Sequence, residues 1–295
     1  VTGLVVVDTG SYWSVFGQII ILLMIQIGGL GLVTFTSFFN FLIRKKPELH
    51  TIQVASESVN TSGFYDVKYM VRYVLAISFI CEMIGALMLS VSYVPKFGAK
   101  GIYIAVYLSI TAFCNAGFDI MGMVAEPFSS VTTLSHDPIT VIVIPILIIA
   151  GGLGFLVWTN LIEFRKKKKL EFQSKLVLIS TAILVGAGML ATLITEWNNP
   201  RTLGGESFLY KLGNSFFQSA TLRTAGFNSI DIEGMSPMMK VFSILFMFIG
   251  AAPGSTGGGI KLTTMAIIIM TILSVLSGRT DTIAMGRKIE HEVVY

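Results

Sequence analysis

The sequence predicts an all-α, polytopic membrane protein built from repeated units of span, short helix, extended segment and span. Three observations carry that prediction. The first is composition: 53% of the 295 residues are hydrophobic, 13% are charged and mean hydropathy is +0.76, whereas soluble domains carry roughly 25% charged residues. The second is run length. Val15–Val33, Tyr69–Val94, Pro138–Ile162 and Phe172–Thr195 are apolar stretches of about the 17–25 residues needed to cross a bilayer. The third is repetition. "VTGLVVVDTG" (Val1–Gly10), "CNAGFDIMG" (Cys114–Gly122) and "RTAGFNSID" (Arg223–Asp231) each place a small or hydroxyl residue before Gly, Leu or Phe after it, and Asp within five residues. No ten-residue alternation indicates a transmembrane barrel.

The elements follow in chain order from these repeats. Residues 1–62 hold the end of a first unit: the Gly3 stretch, the span Val15–Val33 and the basic cluster Arg44, Lys45 and Lys46. The chain begins abruptly, without the basic start of a signal peptide, so upstream sequence is expected to be missing. Residues 63–170 form a second unit, with the span Tyr69–Val94, the shorter segment Gly101–Phe113, the Gly117 stretch and the span Pro138–Ile162. A third unit covers 171–278, with Phe172–Thr195, Ser207–Leu222, the Gly226 stretch and a closing span interrupted by "GAAPGSTGGGIK" (Gly250–Lys261). Residues 279–295 are polar and mixed in sign, a cytoplasmic segment open to a partner and leading toward a further unit. The clusters Arg44–Lys46, Arg165–Lys169 and Arg279/Arg287/Lys288 account for the net charge of +4 as inside-positive loops. Nucleic-acid binding is not indicated.

With those loops inside, the short segments Gly101–Phe113 and Ser207–Leu222 begin and end on the outer side. Each is expected to dip in as a helix and return as extended chain. Extended backbone at membrane depth is tolerated only when buried in protein or lining a watery path. There its free carbonyls can replace the hydration shell of a cation, and glycine accepts positive φ without placing a side chain in the path. The glycine-rich Gly250–Lys261 is not a phosphate loop, because Ile260 precedes Lys261 and Leu262 stands where Ser or Thr is required. Cys81 and Cys114 lie in apolar runs, so neither a disulfide nor a metal spacing is expected. His50, His136 and His291 are too scattered for a catalytic cluster, and an enzyme is not expected.

Three such stretches in register, with "GGLG" at Gly28–Gly31 and Gly151–Gly154 and "GSTGGGIK" in the third inner span, resemble the Trk/Ktr/HKT superfamily of potassium transporters. The nearest resemblance is to the membrane subunit of the bacterial Ktr system. It covers essentially the whole chain and implies a potassium-channel-like arrangement with re-entrant pore helices and a broken inner helix. Members of that family hold four units around one pore, so a fourth unit, the first outer helix and the first pore helix are expected to lie outside these residues. The resemblance assigns Thr2 and Gly3, Asn115, Ala116 and Gly117, and Thr224, Ala225 and Gly226 to a selectivity filter that binds K+ through backbone carbonyls. It assigns Ala252, Gly254, Ser255, Thr256, Gly257, Gly258 and Gly259 to an intramembrane gate loop. Glycine at position 3 is the residue that goes with potassium preference. The resemblance further implies a homodimer in the cell membrane and a cytosolic ring of RCK-type regulatory subunits. No cofactor is expected in this chain, and nucleotide is expected only on that partner. The alternative is a sodium- or proton-coupled secondary transporter with discontinuous helices, against which the shared orientation of the repeats argues.

Other residues carry separate expectations. The "GGLG" glycines are expected to serve close helix packing. Glu82, mid-span, should face protein or water with a hydrogen-bond partner. Asp8, Asp119 and Asp231 should either attract cations or simply be solvated or bonded to the filter backbone. Arg223 should brace the third stretch from behind, bonded to carbonyls or an acid.

Overall fold

The structure is a computed structural model that describes residues 3–31 and 64–277 and the strand pairs 283–284 and 287–288. Thr2, the basic cluster Arg44–Lys46 and most of 279–295 lie outside the described residues. In chain order the helices are α1 (Thr9–Tyr12), α2 (Val15–Leu30), α3 (Phe64–Phe97), α4 (Ala99–Phe113), α5 (Pro138–Gly152), α6 (Phe155–Lys167), α7 (Phe172–Glu196), α8 (Phe208–Thr221), α9 (Pro237–Phe248) and α10 (Leu262–Leu276). Two 3-10 turns, Met121–Met123 and Thr132–Leu134, shape the loop between α4 and α5. In the tail, β1 (Ile283–Ala284) pairs antiparallel with β2 (Arg287–Lys288).

Among the described residues two helical stretches are long and apolar enough to cross a membrane, Arg72–Phe97 within α3 and Phe172–Glu196; α5 and α6 make a third only if counted as one span. That pair is not the straight crossing expected over Pro138–Ile162. It bends by 95° at Leu153–Gly154, where Gly154 sits at φ 85. Likewise α2 stops at Leu30, with Gly31 at φ 82, short of the expected end at Val33. The third inner span is broken as expected, into α9 and α10 separated by residues 249–261.

Burial runs from short helices outward. The core joins Tyr107, Leu108 and Ala112 of α4, Val141, Ile144 and Ile148 of α5, and Phe217 and Ala220 of α8. The long helices leave apolar side chains exposed, Phe79, Leu87 and Val91 on α3 and Ile183, Leu190 and Ile194 on α7. A soluble protein would expose few such residues contiguously; lipid accepts them. Small residues set the spacing. A β-carbon at Gly29 would lie 2.5 Å from Cys114 Sγ, and one at Gly151 would collide with the Phe113 carbonyl oxygen. Both "GGLG" motifs therefore do two things: Gly29 and Gly151 admit the end of α4, and Gly31 and Gly154, both at positive φ, sit at the helix breaks, which packing alone does not predict.

Candidate functional site: three glycine-centred turns above a glycine-rich loop

Helices α4 and α8 end alike. At 1.5 Å per residue their 15 and 14 residues reach about 22 and 21 Å, short of the roughly 30 Å hydrocarbon core. Each then turns into extended chain. In the second stretch the Cys114 N–H donates to the Ile110 carbonyl at 2.9 Å and the Ala116 N–H to Thr111 at 2.9 Å. In the third, Arg223 N–H donates to Ala220 at 3.1 Å and Ala225 N–H to Thr221 at 3.0 Å. Both stretches place a left-handed residue two positions before a left-handed glycine: Asn115 (φ 50) before Gly117 (φ 72), and Thr224 (φ 64) before Gly226 (φ 89). Gly3 has φ 70.

The three stretches meet. A β-carbon at Gly3 would lie 2.5 Å from the Gly117 carbonyl oxygen, and one at Gly117 would collide with the Ala225 carbonyl oxygen. At Gly117 the positive φ and the crowding both exclude a side chain. The structure thus brings together Gly3, Asn115, Ala116, Gly117, Thr224, Ala225 and Gly226, residues far apart in sequence. Beyond the glycines they are cross-tied: Val131 N–H donates to the Asn228 carbonyl at 3.1 Å and Asn228 N–H to Ser130 Oγ at 3.1 Å.

The loop 249–261 lies against the helical ends of these stretches. Thr256 Oγ1 donates to the Phe113 carbonyl, the last of α4, at 2.9 Å, and Gly258 N–H donates to Thr224 Oγ1 at 3.2 Å. Ala252 and Thr256 N–H groups donate to the Gly152 and Gly151 carbonyls at 3.0 and 3.2 Å, and Gly254 accepts from Phe155 N–H at 2.9 Å. The loop closes on itself through Gly250 N–H to Ile260 O at 2.9 Å, Ala251 N–H to Gly258 O at 3.2 Å and Ser255 Oγ to Ala252 O at 2.5 Å. Lys261 Nζ donates to the Gly257 carbonyl at 3.0 Å. Between loop, stretches and α2 lies a cavity of about 490 Å³ lined in part by Gly29, Cys114, Asn115, Thr224, Thr256 and Gly258.

Charged residues surround the turns without entering them. Asp8 is buried; it caps α1 by accepting from Ser11 N–H at 2.7 Å and reaches across to Phe128 N–H at 2.9 Å. Burial alone would raise its pKa, but the hydrogen bonds from Phe128 and Ser11 outweigh it and hold the carboxyl below its ordinary value. Asp119 accepts from Met121 N–H at 3.0 Å. Burial pushes it up to about 6, with the nearby Asp8 charge adding and the bonds from Met121 and Ser130 opposing. Asp231 is held below its usual value by the Gly234 N–H and by Arg201, whose guanidinium lies 2.6 Å away. All three aspartates are bonded to backbone or a cation. Glu82 has the partner expected of it, Gln26 Nε2, at 2.9 Å.

Arg223 departs from its expectation. It is buried, yet none of its three guanidinium nitrogens has a hydrogen-bond partner among the described residues. It lies beside Gly152 and near Ala251 and Asn115, a β-carbon at Gly152 falling 3.4 Å from its Nη2. No acid sits there. Two further connections had no sequence signal. Asp8 to Phe128 spans 120 residues, and Glu196, fully buried, accepts from Ser236, Thr202 and Asn199 to join the end of α7 to the start of α9. No group of three or more His, Cys, Asp or Glu close enough for a metal occurs among the described residues.

Comparison with known proteins places this geometry in context. A family model described as TrkH, cation transport protein, matches residues 1–289. The chain is 37% identical over 295 residues to the potassium/sodium uptake protein NtpJ of Enterococcus hirae and 38% identical over 295 residues to the Ktr system potassium uptake protein B of Bacillus subtilis. All of this chain is aligned, but it spans 64% and 65% of those proteins. The crystal structure of the potassium transporter TrkH from Vibrio parahaemolyticus superposes with a TM-score of 0.62 at 14% identity, over 92% of this chain and 53% of that one, a likeness of fold.

Proposed function

This chain belongs to the TrkH family of cation transport proteins, and on that premise we propose that it is the potassium-translocating part of a bacterial uptake system. In this reading Thr2–Gly3, Asn115–Gly117 and Thr224–Gly226 contribute backbone carbonyls to a cation filter. The observation that carries the reading is the meeting of the Gly3, Gly117 and Gly226 stretches, each with its glycine left-handed. Carbonyls freed from helical partners at the ends of short buried helices are the groups that replace a cation's water. The partly negative ends of α4 and α8 add to the same field. Potassium enters as cargo, and its recognition asks nothing of the side chains beyond holding the backbone in place.

The loop containing Ala252 and Gly254–Gly259 is the gate in this proposal. It lies across the cavity beneath the turns and is tied to them by hydrogen bonds through Thr256 and Gly258, with Ser255 closing the loop on itself. A cytosolic RCK-type ring that binds nucleotide would act on it, with the membrane part as a homodimer in the cell membrane and the basic loops inside. Shortening Gly254–Gly259 in the full-length protein tests the gate. Rubidium flux in liposomes should rise and lose its dependence on the cytosolic partner; lower flux or lost selectivity in a folded, inserted variant would assign the loop to ion coordination instead. Sidedness is tested by Lys167→Cys, which an impermeant thiol reagent should fail to label from outside intact cells.

A further inference from the structure

The step Arg223–Thr224 differs from its counterpart Cys114–Asn115 in what holds its left-handed residue: a hydrogen bond from the loop. Asn115 tolerates a left-handed backbone well, because a short amide side chain can bond locally. Its amide nitrogen, oriented by its two acceptors, donates to the Ile148 and Ala112 carbonyls, both at 3.1 Å. Those partners belong to regular helices. Thr224 is β-branched, and φ 64 is an outlier for such a residue, of the kind that persists only where surroundings impose it. The hydrogen bond found at its hydroxyl comes from Gly258 of the loop, at 3.2 Å. A side chain at Gly257 would lie 3.2 Å from the same hydroxyl and 3.0 Å from the Asn115 amide, so the loop is seated on both stretches. Next to Thr224, the Arg223 guanidinium is sealed in without a partner among the described residues. This stretch therefore carries two local costs while the loop is in place, and the second stretch carries neither.

We infer that Thr224 is a positioning residue that couples the loop to cation binding: the Gly258 N–H to Thr224 Oγ1 bond keeps the third stretch in its cation-holding backbone conformation while the loop is seated. Moving the loop removes that bond and lets the strained Thr224 backbone relax. By linkage, a cation that favours the held conformation must equally favour the seated loop. The ligand is a bare monovalent cation of potassium's size, and the inference rests on the filter reading proposed above.

A thermodynamic cycle in the full-length protein tests it. Apparent K+ affinity is read from the rise of melting temperature with K+ concentration at constant ionic strength. Thr256→Val cuts the loop's tie to Phe113 and is the loop perturbation. In the parent it should weaken K+ affinity by about fivefold, the lower end of typical couplings between sites. In a Thr224→Gly background, where glycine accepts the positive φ without strain and offers no hydroxyl, the same change should have less than about a twofold effect. Thr224→Ser should restore the full effect, which a merely steric role would not. Gly258→Pro, removing the donor from the loop side, should reproduce Thr224→Gly. Equal effects of Thr256→Val with and without the Thr224 hydroxyl would overturn the coupling and leave the filter reading standing. No K+-dependent stabilisation of the parent would overturn both.

Discussion

The second and third glycine-centred stretches share a backbone and differ in what holds it. Asn115 is fastened to two helix carbonyls, Cys114 is packed against Gly29 of α2, and Gly117 is wedged among neighbouring backbone. Thr224 depends on a loop, Arg223 has no partner among the described residues, and Gly226 is required by its φ of 89. One stretch is built into the scaffold and the other leans on the part proposed to move. The lesson is that equal backbone geometry does not imply equal rigidity. The partner of the left-handed residue decides which copy can respond.

The largest test of this contrast is substitution of the two glycines. Gly117→Ser must displace the Ala225 carbonyl as well as hold a positive φ; Gly226→Ser meets the φ constraint at 89. We expect Gly117→Ser to reduce potassium-over-sodium discrimination by more than about tenfold, or ~1.4 kcal/mol, and Gly226→Ser by less, in rubidium uptake with sodium competition. Unchanged uptake and competition in both would remove these residues from the filter. Next is Arg223→Met. Replacing one member of a buried ion pair is strongly destabilising, whereas removing an unpaired buried charge for an apolar side chain is neutral or stabilising. The variant should melt at or above the parent temperature; a drop of more than about 4 °C would mean that Arg223 has a partner elsewhere in the protein.

The smallest effect concerns pH. Asp119 follows Gly117 by two positions, where the third stretch has the uncharged Asn228. Its carboxyl is raised to about 6, first by burial, so the folded state holds a proton that the unfolded chain releases near 3.8. Its contribution therefore weakens stability as pH rises from about 4 to 6 and is constant above. Asp119→Asn should raise the melting temperature by about 2–4 °C at pH 7.5 and have no effect at pH 4. Thermal denaturation across that range checks it, and an equal gain at both pH values would detach the effect from the carboxyl.

Helix ends were readable in the chain because their caps are local. Ser207 accepts from Tyr210 N–H at 3.4 Å, Asp137 from Thr140 N–H at 3.0 Å before Pro138, and Ser236 from Met239 N–H at 3.2 Å before Pro237. The expected Ser207–Leu222 differs from α8 by one residue at each end. The 95° bend inside Pro138–Ile162 was not readable, because hydropathy is blind to direction and "GGLG" serves packing and breaking alike. Of the candidate site, the glycines were legible as a motif, since positive φ and crowding restrict the residue type. The tethers of the loop were not. Thr256 to Phe113 spans 143 residues and Gly258 to Thr224 spans 34, and Ser and Thr bond whatever carbonyl the fold brings near. The unpaired setting of Arg223 is illegible for a related reason, since sequence reveals a charge and not its surroundings.

The break in α5–α6 and the break in α9–α10 have a shared consequence for assembly. Carbonyls left without helical partners at Gly151 and Gly152 receive the Thr256 and Ala252 N–H groups, and the Phe155 N–H beyond the bend is received by Gly254. Each interruption supplies what the other lacks. In hydrocarbon an unmatched peptide group costs several kcal/mol, so neither interrupted segment can settle alone in its final shape. The two interruptions are therefore expected to reach their final shape together, as one cooperative unit. A lesion in one interruption should then surface as a biogenesis defect in the other.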